Sequence, residues 1–180
     1  EVGLRLGVKK YYQYFRKFGL LEKTGVDLPG EAETSGLLYT ADTMGEIDLA
    51  TNSFGQNFNV TMTQMVSAFS SLVNGGYYYE PHVVKQIQDE DGNVIETKDP
   101  VLLRKTVSSE TSKMLRQYLK ATMDYGTGTR AKVEGYDIGA KTGTAEKLPR
   151  GNGKYLLSYI GYAPQNNPEV VVYVVIDEPN

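Results

Sequence analysis

A chain of 180 residues, 40% hydrophobic and 23% charged, falls within ordinary globular composition and can bury a core as one domain. Its net charge of −3, with Lys and Arg scattered along the chain, argues against a nucleic-acid-binding surface. Cysteine is absent, which removes disulfides, zinc knuckles and a thiol nucleophile, and no stretch has the apolar length that spans a bilayer.

The opening Glu1-Val2-Gly3-Leu4 carries neither an initiator methionine nor a signal-peptide pattern, so the chain is expected to be cut from something longer. Val8 to Phe18 then places Tyr11, Tyr12, Phe15 and Phe18 at helical spacing, with Gly19 as a stop. The basic residues Lys9, Lys10, Arg16 and Lys17 are expected on its solvated face. Gly25-Val26-Asp27-Leu28-Pro29-Gly30-Glu31 reads as a loop. From Thr61 the helical period returns, with Met62, Met65, Val66, Phe69, Leu72 and Val73 on one face, and Asn74-Gly75-Gly76 ends it.

Tyr77 to Gln88 and Val94 to Val101 are expected as strands joined by a hairpin at Asp91-Gly92. A third helix spans about Ser108 to Tyr125, with Leu115, Tyr118, Leu119 and Met123 spaced for burial. The final third is strand-like: Tyr136 to Thr144, Tyr155 to Tyr162 and Val170 to Asp177, divided by polar turns. Val170 to Ile176 is apolar throughout, so it is expected inside the sheet and covered on both faces. Helices followed by three consecutive strands with short connections predict an α+β fold, an antiparallel sheet with flanking helices.

Lys141-Thr142-Gly143 closes the first of those three strands. Alone, the tripeptide describes any surface strand with a lysine and a glycine bulge. In this position it can also do chemistry. A cation and a hydroxyl can hold a carboxylate, and an extended peptide can pair with the strand edge. Gly143 permits close approach, and the N–H of Thr144 can point at a developing oxyanion.

Competing signals are weaker. Gly126-Thr127-Gly128-Thr129-Arg130-Ala131 follows a helix, so it fails the strand-to-helix context of a dinucleotide fingerprint. His82 is the single histidine; beside Pro81 and the strand-like Val83-Val84 it reads as structural or exposed, not as a triad member. Asp89, Glu90 and Asp91 sit at a hairpin turn and read as solvated, so no metal site is expected there. Tyr77 to Tyr79 reads as the start of a half-buried strand.

The stretch Gly139-Ala140-Lys141-Thr142-Gly143-Thr144-Ala145-Glu146-Lys147 closely resembles the motif region of class B penicillin-binding proteins. So do Gly161-Tyr162-Ala163-Pro164 and, at the matching distance, Val174-Val175-Ile176-Asp177-Glu178-Pro179. Gly25 to Glu31 resembles the family's Gly-Ile-Asp-Leu-Pro-Gly-Glu loop. Phe54-Gly55-Gln56, with Val60, Thr61 and Gln64, resembles its Gly-Gln loop and the helix after it. Gly126-Thr127-Gly128 and Ala131 match the turn before its motif strand.

The resemblance implies a penicillin-binding protein/serine β-lactamase-like domain and peptidoglycan D,D-transpeptidation through an acyl-serine intermediate. It implies Lys141 and Thr144 as catalytic contributors and Lys141, Thr142, Gly143 and Thr144 as the substrate-binding strand. The ligands implied are stem peptides ending in D-Ala-D-Ala and β-lactams, with no cofactor, at the extracytoplasmic face of a bacterial membrane.

No serine here has a lysine three positions later, and Ser-x-Asn is missing too. Residues 1–180 are therefore expected to be the C-terminal portion of a single transpeptidase domain, inactive without the N-terminal half as partner. The alternatives are a β-lactamase or D,D-carboxypeptidase of the same fold, and a non-catalytic wall-binding module.

Overall fold

Gly7, at φ 78°, separates two helices at the start of the chain, α1 (Val2–Leu6) and α2 (Val8–Lys17). That φ lies in the left-handed region, where a side chain is strained. The computed structural model describes residues 1–179. On α2 the spacing resolves as expected: Phe15 is buried with Leu20, Leu38 and Ala68, while Tyr11 and Phe18 pack around them. Lys9, Lys10, Arg16 and Lys17 are exposed.

A short helix, α3 (Glu46–Asn52), precedes α4 (Met62–Val73). Thr61 opens α4 with a capping box: its hydroxyl accepts from the Gln64 N–H, and its own N–H donates to Gln64 Oε1. Gln64 is 1% exposed. It also accepts from Thr34 Oγ1 at 3.0 Å and donates to the Glu22 carbonyl at 2.8 Å. A buried amide satisfied in this way locks loop and helix together.

The loop at Gly25–Glu31 is built by its carboxylates. Glu31 accepts from the Thr24 N–H, the Thr24 hydroxyl and the Gly25 N–H. Desolvation works against its charge, but these bonds outweigh that effect and hold its pKa below the ordinary value. Asp27 accepts from the N–H groups of Val83 and Val84, and chiefly the Val83 bond lowers its pKa.

Tyr77–Gln88 is not one strand. β1 (Tyr77–Tyr79) and β2 (Gln86–Gln88) belong to different two-stranded sheets. Pro81 lacks the N–H that a ladder needs, and Asp27 takes the N–H groups of Val83 and Val84 instead. β2 pairs with β3 (Val94–Thr97) around the Asp91-Gly92 turn, as expected. The second strand also stops short of Val101: β4 (Leu102–Lys105), beyond the predicted strands, pairs with β1. Tyr78, between them, is 1% exposed, so the tyrosine run is the half-buried strand start.

Helix α5 (Ser109–Tyr125) starts at the Ser108 cap and reaches α4 through Ser112, whose hydroxyl donates to the Leu72 carbonyl. Met123 is buried, but Tyr118 is 62% exposed. The helix presents a narrower apolar stripe than its spacing suggests, and Tyr118 falls outside it.

β5 (Gly139–Glu146), β6 (Tyr155–Ala163) and β7 (Val170–Asp177) form an antiparallel sheet in that order. β5 begins three residues later than Tyr136, which lies in a turn closed by its N–H to the Val133 carbonyl. Ile160 and Tyr162 of β6 pack on Phe69 and Val73 of α4. Gly139 is required there, since a Cβ would lie 2.5 Å from the Tyr162 ring.

β7 corrects the expectation of two covered faces. Val171 and Tyr173 pack against the core, but Val170, Val172, Val174 and Ile176 are between 47% and 56% exposed. An all-apolar run states what a strand can bury; among the described residues, the material for its second face is not present.

Candidate functional site

Along β5 the peptide groups alternate between the β6 ladder and the free edge. Gln56 Nε2, from the loop after α3, donates to the Thr144 carbonyl at 3.0 Å. The polar groups of Thr144 therefore face the free edge, and those of Thr142, two residues earlier, share that direction. Lys141 Nζ folds over the edge onto the Thr142 carbonyl at 2.6 Å. Lys141 and Thr144 are exposed, and Thr142 and Gly143 are half-buried. All four expected site residues thus lie together on one accessible strand edge.

The turn Gly126-Thr127-Gly128 delivers a further hydroxyl: Thr127 and Thr142 share a hydrogen bond of 2.7 Å between their Oγ1 atoms. Its glycines fit against the end of α5, where a Cβ on Gly128 would lie 2.6 Å from Met123 Sδ. Thr127 and Gln56 are the site residues that sequence reasoning did not assign. Both lay in stretches marked by the resemblance, but neither stretch has local chemistry that selects one residue.

Gly143 has a second physical reason beside the expected one. A Cβ there would lie 2.4 Å from Ser158 Oγ on the paired strand. The glycine leaves room for that hydroxyl in its present rotamer.

Past β5, ion pairs fasten the hairpin to the end of β7. Lys147 Nζ reaches Asp177 at 2.9 Å and Glu178 at 2.8 Å, and Lys154 Nζ reaches Glu178 at 2.9 Å. Hydrogen bonds from Lys147 and then Lys154 push the Glu178 pKa down to about 2. Arg150 Nη2 donates to Asn57 Oδ1 at 2.8 Å. Between this hairpin and the Gln56 loop runs a cleft of about 620 Å³, lined by Tyr39, Gln56, Phe58, Glu146, Arg150 and Leu156 among others.

Of the rejected signals, His82 and the Asp89-Glu90-Asp91 turn stay outside this site. His82 is exposed, and Asp89 caps the hairpin turn through the N–H groups of Asp91 and Asn93. No cluster of three or more His, Cys, Asp or Glu side chains suited to a metal occurs among the described residues.

The family model for the penicillin binding protein transpeptidase domain matches residues 1–180. Stage V sporulation protein D of Bacillus subtilis is 42% identical over 99% of this chain and 28% of that protein. A probable peptidoglycan D,D-transpeptidase PenA of Neisseria meningitidis is 31% identical over 99% of this chain and 29% of that protein. The chain thus spans under a third of the length of these relatives. Among solved structures, penicillin binding protein 3 of Mycobacterium tuberculosis complexed with ampicillin superposes with a TM-score of 0.84 at 33% identity, over 98% of this chain and 41% of that one.

Proposed function

The chain belongs to the penicillin-binding protein transpeptidase family, and from that membership and the β5 edge we propose that it forms the substrate-strand wall of a peptidoglycan D,D-transpeptidase active site. One observation carries this reading: Lys141, Thr142 and Thr144 converge on a free strand edge whose carbonyls face outward. Lys141 and the Thr142 hydroxyl bind the terminal carboxylate of a D-Ala-D-Ala stem peptide or the equivalent group of a β-lactam. The Thr144 N–H faces the oxyanion that forms when the scissile carbonyl is attacked. The outward carbonyls pair with the extended donor peptide.

No serine in the sequence has a lysine three residues on. The acylated serine and its activating lysine therefore come from another part of the same domain, of which residues 1–180 are the C-terminal portion. The serine takes the stem-peptide acyl group with release of D-Ala, and an amine of a neighbouring strand then takes it from the serine. Peptidoglycan lies outside the cytoplasmic membrane, so the chain works on the extracytoplasmic face; no helix among the described residues is long and apolar enough to cross it.

The test is labelling with a fluorescent penicillin followed by denaturation. The longer protein containing this chain keeps the label, and the isolated chain does not. An unlabelled longer protein, or stoichiometric labelling of the chain alone, overturns the reading.

A further inference from the structure

Any peptide that adds to β5 as a strand needs the outward Thr144 carbonyl as an acceptor, and in this structure that carbonyl already has a donor. Gln56, 88 residues away in sequence, places Nε2 on it at 3.0 Å. The loop that carries Gln56 is built to stand at the edge without being buried in the body. Phe54 is 70% exposed, and Gly55 and Asn57 flank Gln56 at φ 90° and 63°. From Asn57 the loop makes a second polar contact to the same hairpin region, through Arg150. Both ties are exposed. The 620 Å³ cleft opens between the loop and the hairpin.

We propose that Gln56 is a displaceable latch: its amide protects the free edge of β5 and is exchanged for a backbone N–H of the incoming acyl donor. The inference rests on the reading of β5 as the substrate strand and adds a selectivity element to it. An unpaired strand edge invites unwanted pairing, and a side-chain donor on its carbonyl blunts that hazard. Because the tie is one neutral, solvent-accessible hydrogen bond, opening it costs little. A ligand that brings an N–H to the Thr144 carbonyl must break the Gln56 bond to make its own, whereas a ligand without that donor leaves the latch closed and loses nothing. Gln56 thus offsets part of the advantage of donors with an amide at that position and sets how strongly the site prefers them.

The experiment compares two probes on the intact transpeptidase domain that includes this chain. One is a penicillin with an acylamino side chain, which carries the N–H; the other is a carbapenem, which has a hydroxyethyl group in its place. Gln56→Ala removes the latch, and Gln56→Glu keeps its length but takes away the donor. In both variants the ratio of the second-order acylation rate constants, penicillin over carbapenem, is expected to rise roughly two- to tenfold, the scale of one neutral hydrogen bond. A change in the folded fraction scales both probes together and leaves the ratio where it was. Labelling of the wild type with an unchanged or lowered ratio in both variants overturns the latch alone. A wild type that neither probe acylates overturns the transpeptidase reading, and the latch with it.

Discussion

β5 and β7 are the outer strands of one sheet, each eight residues long and each paired with β6, yet they offer opposite surfaces. The edge of β5 is polar, and its outward carbonyls are met by side chains, Lys141 on Thr142 and Gln56 on Thr144. β7 instead carries four half-exposed aliphatic side chains on one face, Val170, Val172, Val174 and Ile176. Polar groups held by exposed hydrogen bonds can be reopened at little cost, because water or a ligand replaces what is lost. A row of aliphatic side chains is favoured only when something covers it for good. The first surface suits a ligand that comes and goes; we take the second to meet the remainder of the transpeptidase domain.

The largest expected effect tests the β5 side. In the intact domain, Lys141→Ala removes the cation proposed to meet the donor carboxylate. Acylation by a β-lactam and by a D-Ala-D-Ala peptide should slow together by about ten- to a hundredfold, the equivalent of ~1.5–3 kcal/mol. Stopped-flow acylation of a folded mutant at the wild-type rate would leave Lys141 as an edge-protecting residue only.

Next comes the packing that aligns this edge. Gly139→Ala drives a methyl group against the Tyr162 ring, and urea unfolding should show a loss of about 1–3 kcal/mol. Gly143→Ala meets only the Ser158 hydroxyl, the end of a side chain that can turn to another rotamer. Its cost should be the smaller of the two, and the reverse order would mean that β6 yields at Tyr162.

On the β7 side, the 180-residue chain expressed alone should associate through its uncovered face. Val174→Lys should shift light scattering toward the monomer mass. A wild-type chain that is already a monodisperse 20.0 kDa monomer with cooperative unfolding would show that this face needs no cover, and would remove the contrast with β5.

The smallest effect concerns the ion pairs that join the two sides. Glu178 has a folded pKa of about 2 against an ordinary 4.5. A depressed carboxylate contributes stability above its unfolded pKa and loses it as pH falls through the folded value. Hydrogen-exchange protection factors in the Lys147–Lys154 hairpin, which divide out the intrinsic pH dependence of exchange, should therefore fall between pH 4.5 and about 2. Glu178→Gln should erase that acid-dependent step, with little change in melting temperature at neutral pH, because all partners are exposed. An unaltered step in the mutant would assign it to other carboxylates.

The sequence alone determined the parts whose cause is local. α2, α4 and α5 follow from helical spacing and their caps or stops at Gly19, Thr61 and Ser108, and the β2–β3 hairpin from Asp91-Gly92. The Lys141-Thr142-Gly143-Thr144 strand and its membership in the sheet were legible because a strand-like run and a short motif lie within a few residues. Tertiary structure decided everything set by distant partners. α1 and α3, five and seven residues long, are too short for periodicity to reveal. β4 exists as a strand because β1 is beside it, and beyond Pro81 the N–H groups of Val83 and Val84 turn to Asp27. Gly143 faces Ser158 across the ladder, and Thr144 meets Gln56 from 88 residues away. Apolar spacing records what a segment is able to bury, and β7 shows that whether a face is buried depends on which other parts of the chain reach it.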